Sequence, residues 1–240
     1  MNVLVGTSGW SYKEWKGSFY PPKMAAEEML RFYSGHFRTV EVNNSFYRIP
    51  AEHVLAGWAE QVPESFRFVM KASRRVTHNS RLKDEDGSLG YFLRAINPLG
   101  ERLGPTLFQL PPNLKKDMDR LQGFLAALPR HWPAAMEFRH PSWFDQEVYD
   151  ALRARNVALV AVDEDVADGA GSPLLATASW GYLRLRRITY DREHLKTWAE
   201  RILSQPWSEA YVFLKHEDGS PAGPAAALQI CDILEQIRKT

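Results

Sequence analysis

Residues Thr39–Pro50 read TVEVNNSFYRIP, and the stretch opens as a β-strand. Val40 and Val42 fall on one face and Glu41 and Asn43 on the other, because side chains alternate along an extended backbone. A carboxylate in the middle of a buried strand is costly unless another group pairs with it or uses it. The strand ends in Asn43-Asn44-Ser45 and runs into two aromatics, Arg48 and Pro50. Polar groups at the end of a strand that feeds a helix are where α/β folds place their chemistry.

Working outward, the same unit recurs. Asn2–Thr7 is a short apolar strand. It is followed by a long aromatic loop with Trp10, Tyr12, Trp15, Phe19 and Tyr20, which reads as a hydrophobic plug over one barrel end or as a stacking wall for a ligand ring. Helical spacing covers Ala25–Phe37 and the segment around Val54, Leu55, Trp58 and Val62. Phe66–Lys71 alternates as a third strand, and Ser73–Gly87 is a polar loop too long for a simple connection. It carries Arg74, Arg75, His78, Arg81 and Lys83 ahead of Asp84, Glu85 and Asp86.

A helix from Phe92 to Leu103 should break at Pro98. Further strands follow at Pro105–Leu110, Ala134–Phe138, Val157–Val162, Gly181–Arg186 and Ala210–Leu214. Helices fill most of the intervals, one of them capped by Asp117, and a last helix runs through Leu228, Cys231, Leu234 and Ile237. The connection Val166–Ser179 shows no helical spacing. Strands alternating with helices throughout, with no linker between halves, predict one α/β domain over 1–240. The class is a TIM-like (β/α)₈ barrel, with a missing or irregular helix after strand six. A doubly wound sheet is the alternative, but GTSGWSYKEW after strand one lacks the glycine-rich dinucleotide fingerprint.

Composition sets bounds. The 240 residues are 45% hydrophobic, and 30 basic against 29 acidic residues leave a net charge of +1. That balance argues against a surface that is basic throughout, although local basic patches remain. The one cysteine, Cys231, excludes an internal disulfide and any multi-cysteine metal site. No apolar run reaches the roughly 18 residues of a membrane span, and the N-terminus has no signal-peptide pattern, so a cytoplasmic protein without membrane partners is expected.

Taking the apolar parity of each strand as the helix-facing one leaves an axis-facing set. It comprises Glu41 and Asn43, Lys71, Gln109, Glu137 and Arg139, Asp163, Arg184 and Arg186, and Lys215. Seven consecutive strands thus offer polar groups at one end. The set predicts a site at the C-terminal mouth, set against a purely structural ion-pair network. Glu41, Glu137, Lys71 and Asp163 are the candidate catalytic groups. Asn43, Gln109, Arg139, Arg184, Arg186, Lys215 and Trp10 are the candidate substrate contacts. Bases outnumber acids, which favours an anionic, phosphate-like small molecule.

Four motifs carry a family resemblance: GTSGWSYKEWKGSFYPP, TVEVNNSFYRIP, FQLPP at Phe108–Pro112 and EFRHPSW at Glu137–Trp143. Together they resemble the YecE-like family, domain of unknown function 72. The resemblance implies a TIM-like barrel but assigns no catalytic residues. Many members look like Arg-x-His-Gly at strand seven and carry an Asn pair at strand eight. Here the chain reads Arg184-Leu185-Arg186-Arg187 and Lys215-His216-Glu217-Asp218, which makes the mouth more basic.

The leading function read from these residues is an enzyme acting on an anionic small molecule, with Glu41 or Glu137 as general acid or base. The first alternative is nucleic-acid binding through Arg74, Arg75, Arg81 and Lys83, through Arg186, Arg187 and Arg192, and by stacking on Trp10, Tyr12 and Trp15. A metal-dependent hydrolase or isomerase using Glu41, Glu137, Asp163 and His140 or His216 is a further alternative, although the histidines lack close metal-ligand spacing. A two-carboxylate glycosidase and a non-catalytic binding protein complete the range. The sequence names no cofactor, no oligomeric state and no substrate.

Overall fold

The structure, a computed structural model, describes residues 1–83, 87–165, 172–215 and 222–239. Its strands are β1 (Asn2–Thr7), β2 (Thr39–Val42), β3 (Arg67–Lys71), β4 (Leu103–Gln109), β5 (Ala134–Glu137), β6 (Ala158–Asp163), β7 (Trp180–Leu185) and β8 (Glu209–Leu214). All eight lie in one parallel sheet, in the order β1-β8-β7-β6-β5-β4-β3-β2. Around it run α1 (Met29–Ser34), α2 (Glu52–Gln61), α3 (Ser88–Ile96), α4 (Met118–Ala127), α5 (Gln146–Ala154), α6 (Arg192–Leu203) and α7 (Ala222–Lys239). This is the TIM-like barrel that the alternation predicts, and residues 172–179 before β7 carry no helix.

Closure is uneven. β1 pairs with β8 over six residue pairs, whereas β1 meets β2 through a single bridge, Ser8 to Glu41. Beneath that bridge a side chain replaces the ladder. The Tyr33 hydroxyl accepts a hydrogen bond from Thr7 N–H at 2.9 Å and donates one to the Thr39 carbonyl at 3.0 Å. Gly6 permits the approach, since a Cβ there would lie 2.1 Å from Thr39 O. Both backbone groups are thereby satisfied without direct pairing.

Local chemistry explains the element ends. Asp117 caps α4 by accepting from Arg120 N–H at 3.0 Å. α3 stops at Ile96, and Pro98 sits in the 3₁₀ segment that follows. The first helix is shorter than its spacing predicts: a 3₁₀ turn at Ala26–Glu28 precedes α1, which ends before Gly35.

Two apolar layers result. Leu4, Val69, Leu107, Ala135, Val160, Tyr182 and Phe213 fill the barrel interior, while the larger cluster lies between strands and helices. The aromatic loop belongs to the outer cluster. Trp15 and Tyr20 are buried and pack with Phe19 against Phe32, Tyr33 and Phe37. Trp15, Phe19 and Tyr20 therefore pack against the flank of the barrel, whereas Trp10 and Tyr12 line a cleft.

Candidate functional site

Alternation carries Ser8, Glu41, Asn43, Gln109, Glu137 and Arg184 to the C-terminal mouth, directly above the apolar interior. Glu41 and Glu137 are fully buried and share one partner. Arg184 donates from Nη2 to Glu41 Oε1 at 2.8 Å and from Nη1 to Glu137 Oε2 at 2.6 Å. Glu41 also accepts from Tyr182 OH at 2.7 Å, Asn43 Nδ2 at 2.9 Å and Ser8 Oγ at 3.0 Å. Glu137 accepts from Gln109 Nε2 at 2.7 Å and Arg139 Nε at 3.2 Å. Every carboxylate oxygen in the pair is occupied, as burial of charge demands.

The electrostatics follow from this geometry. For Glu137 the largest single influence is burial, which pushes the carboxyl up. Arg184, then Arg139 and Arg186, outweigh it and hold the group at about 2. Glu41 is likewise lowered: burial opposes ionisation, while Arg184 and the Tyr182 and Asn43 hydrogen bonds favour it. Lys71 moves the other way for a cation. Burial first, and Arg184 next, bring its ammonium down to about 8, against the pull of Glu41 and Glu137. It lies over the Phe46 ring, 4.5 Å from the centroid. His78 packs edge-on to the same ring at 4.8 Å, and it is lowered by burial and then by Lys71, Arg139, Arg74 and Arg81.

Arg186 completes the rim. Its Nε is buried with no hydrogen-bond partner among the described residues, and its nearest carboxylate contact is Glu164 at 3.6 Å. Lys215 extends β8 past Phe213 and is half-buried, with its backbone N–H on Leu185 O.

Three expected site residues stand elsewhere or do other work. Asp163 lies opposite Leu185 in the β6–β7 register, with Val162 opposite Arg184, so Asp163 faces the helices. There it accepts from Arg187 Nε at 2.8 Å, Trp198 Nε1 at 2.8 Å and Tyr190 OH at 3.0 Å. The expectation that it joins the ring is corrected, and with it any shared metal set with Glu41 and Glu137. Arg184 is in the ring, but both terminal nitrogens are committed to carboxylates. Trp10 lies on the flank, only 9% exposed, stacked edge-on against Trp58 at 4.9 Å. It helps line a cleft of about 420 Å³ that runs from Asn43 and Asn44 past Tyr12 to Glu27 and Gln61.

The guanidinium of Arg184 occupies the space between the two acids where a bridging cation would sit. His140 is engaged with Ser142 Oγ at 2.8 Å. Among the described residues, no group of three or more His, Cys, Asp or Glu is placed to hold a metal ion. His216, the other candidate ligand, lies outside the described residues, as do Asp84, Glu85 and Asp86. Among the described residues, no helix is long and apolar enough to cross a membrane.

Ser8, Phe46, His78 and Tyr182 belong to the site without having been singled out from sequence. Tyr182 precedes Arg184 by two residues and so shares its parity; that signal was present.

Comparison with known proteins bears on the whole assembly. A family model described as protein of unknown function DUF72 matches residues 4–240. The chain belongs to the DUF72 family. It is 29% identical to the UPF0759 protein YecE of Escherichia coli K12 over 167 residues, covering 67% of this chain and 59% of that protein. It is 31% identical to the UPF0759 protein YunF of Bacillus subtilis 168 over 156 residues, covering 62% and 54%. The match thus spans less than two thirds of these relatives' length. Among solved structures, a DUF72 family protein from Thermotoga maritima superposes with a TM-score of 0.84 at 31% identity, covering 98% of this chain and 100% of that one. A DUF72 family protein from Enterococcus faecalis gives a TM-score of 0.80 at 20% identity, covering 97% and 95%, and shares the fold. The DUF72 family name carries the barrel and leaves the chemistry to the residues.

Proposed function

We propose that this chain is a single-barrel enzyme acting on an anionic small molecule held at the C-terminal mouth by Arg139, Arg186 and Lys71. The observation that carries this reading is Arg186 Nε, a buried cationic donor with no hydrogen-bond partner among the described residues, beside two carboxylates already filled by Arg184. A buried donor left unsatisfied costs about 1–3 kcal/mol, and a bound oxyanion removes that cost. Arginine forks suit phosphate or carboxylate oxygens.

The division of labour differs from the carboxylate acid–base scheme. Seven hydrogen bonds from side-chain donors saturate Glu41 and Glu137. They act as fixed counter-charges that hold Arg184, and Lys71 is the group poised to exchange a proton near neutral pH. Nucleic-acid binding is the weaker reading. Arg74, Arg75, Arg81 and Lys83 are exposed, but Trp15 is fully buried and offers no face for a base to stack on. A cytoplasmic setting accords with the free thiol of Cys231.

The test is thermal melting in phosphate against chloride at matched ionic strength. Phosphate at 100 times its Kd stabilises a one-site native state by about 2.7 kcal/mol. The wild type is expected to show that phosphate-specific gain, and Arg186→Ala to lose most of it. Equal gains in both proteins, or no gain in the wild type, would return the ring to a structural ion network.

A further inference from the structure

We infer that Lys71 condenses with the carbonyl group of an anionic aldehyde or ketone, forming an imine at the barrel mouth. The inference rests on the anion-binding reading above and names the substrate class for it. Its basis is an anomaly of pairing. Lys71 ends β3 within electrostatic reach of Glu41 and Glu137. Yet its ammonium makes no ion pair or hydrogen bond among the described residues, only the contact with the Phe46 ring. A lysine serving as a counter-ion would have one of those carboxylates; here Arg184 holds both.

The consequence is a reactive amine. With Arg184 and Arg139 as neighbours and burial against it, the charged form is disfavoured, to about 8. At pH 7 roughly one-tenth of such a group is neutral, against well under one in a thousand for an exposed lysine. Desolvated lysines beside other cations are the usual amine nucleophiles toward carbonyls. Arg139 and Arg186, which both act electrostatically on Glu137, place the anion seat beside the amine. A carbonyl next to a carboxylate, or one short carbon chain from a phosphate, then faces Lys71 Nζ.

The step balances within the site. The ammonium gives a proton to His78, which packs on the same Phe46 ring and whose imidazole is lowered first by burial and then by the surrounding cations. The Nζ lone pair forms the C–N bond as the carbonyl π pair moves to oxygen. Two protons then convert that oxygen into departing water, the one from His78 and the second N–H proton of the former amine. The iminium that remains carries the same single charge as the ammonium it replaces, so the balance against Glu41 and Glu137 is unchanged.

The experiment incubates the full chain with glyoxylate or with glycolaldehyde phosphate, each with sodium cyanoborohydride, and maps adducts by peptide mass spectrometry. Lys71 is expected to be labelled on the order of a hundredfold faster than exposed lysines at pH 7, with labelling suppressed by inorganic phosphate. Lys71→Arg should abolish that adduct, and a cooperative melt in chloride with wild-type circular dichroism shows that the variant is folded. The faster probe identifies a carboxylate or a phosphate as the anion. Labelling spread evenly over surface lysines, with the phosphate shift intact, overturns the imine and leaves the anion site standing. Even labelling with no phosphate shift overturns both.

Discussion

Glu137 and Asp163 end adjacent strands, and each accepts hydrogen bonds from three side chains, yet the two do opposite work. Glu137 faces the axis and takes its donors from β4, from β7 and from Arg139, two residues past the end of β5. Asp163 faces outward and takes its donors from the segment after β7 and from α6. The first binds strands to one another across the mouth. The second pins a connecting segment and a helix to the wall. A carboxylate at a strand end therefore marks a site only when its parity turns it inward.

The comparison breaks most violently at Arg184. Arg184→Met leaves two buried carboxylates facing each other without a cation, and removing one partner of a buried pair costs about 3–5 kcal/mol. The melting temperature should fall by many degrees, and adding Glu41→Gln and Glu137→Gln to Arg184→Met should recover part of the loss. A variant as stable as wild type would show that the trio is not the keystone of the mouth.

Acid should expose the next largest difference. The folded Glu137 carboxyl sits at about 2, below its ordinary 4.5. A depressed carboxylate contributes stability that is present above the unfolded value and lost as pH falls through the folded one. Its share should disappear between about pH 4.5 and pH 2, so denaturation curves across that window should be flatter in Glu137→Gln than in wild type. Equal slopes in wild type and Glu137→Gln would dissolve the contrast.

Asp163→Asn gives the smallest effect and the most local. It weakens a charge-assisted hydrogen bond to Arg187, a contribution of about 1.5–3 kcal/mol at most, and partly exposed Arg187 reduces it further. Amide exchange should quicken around Arg187–Tyr190 and the start of α6 while β5 stays protected. Uniform quickening through the barrel would mean that Asp163 is as central as Glu137.

Much of this was readable from residue order. Alternation in Thr39–Val42 and Arg67–Lys71 gives the correct inward faces, and Asp117 and Pro98 mark a helix start and a helix stop. Asp163 was misplaced because Val157–Val162 is apolar at every position, so no alternation reveals which face is which. Arg184 was legible as an inward cation, but not as one already spent on two acids, because the partners come from strands more than 40 residues away. Phe46 meets Lys71 on one side and His78 on another through loop geometry that has no sequence period at all.

The Tyr33 seam also dictates an order of events in time. β1 has almost no ladder with the strand that follows it and a full one with β8, more than 200 residues later. Its most extensive partner is thus a strand that leaves the ribosome long after it. Non-local pairings of this kind form slowly, because a long loop must close before any contact repays it. β1 consequently spends synthesis as an apolar edge waiting for β8, and its amides should gain protection late, together with those of Glu209–Leu214.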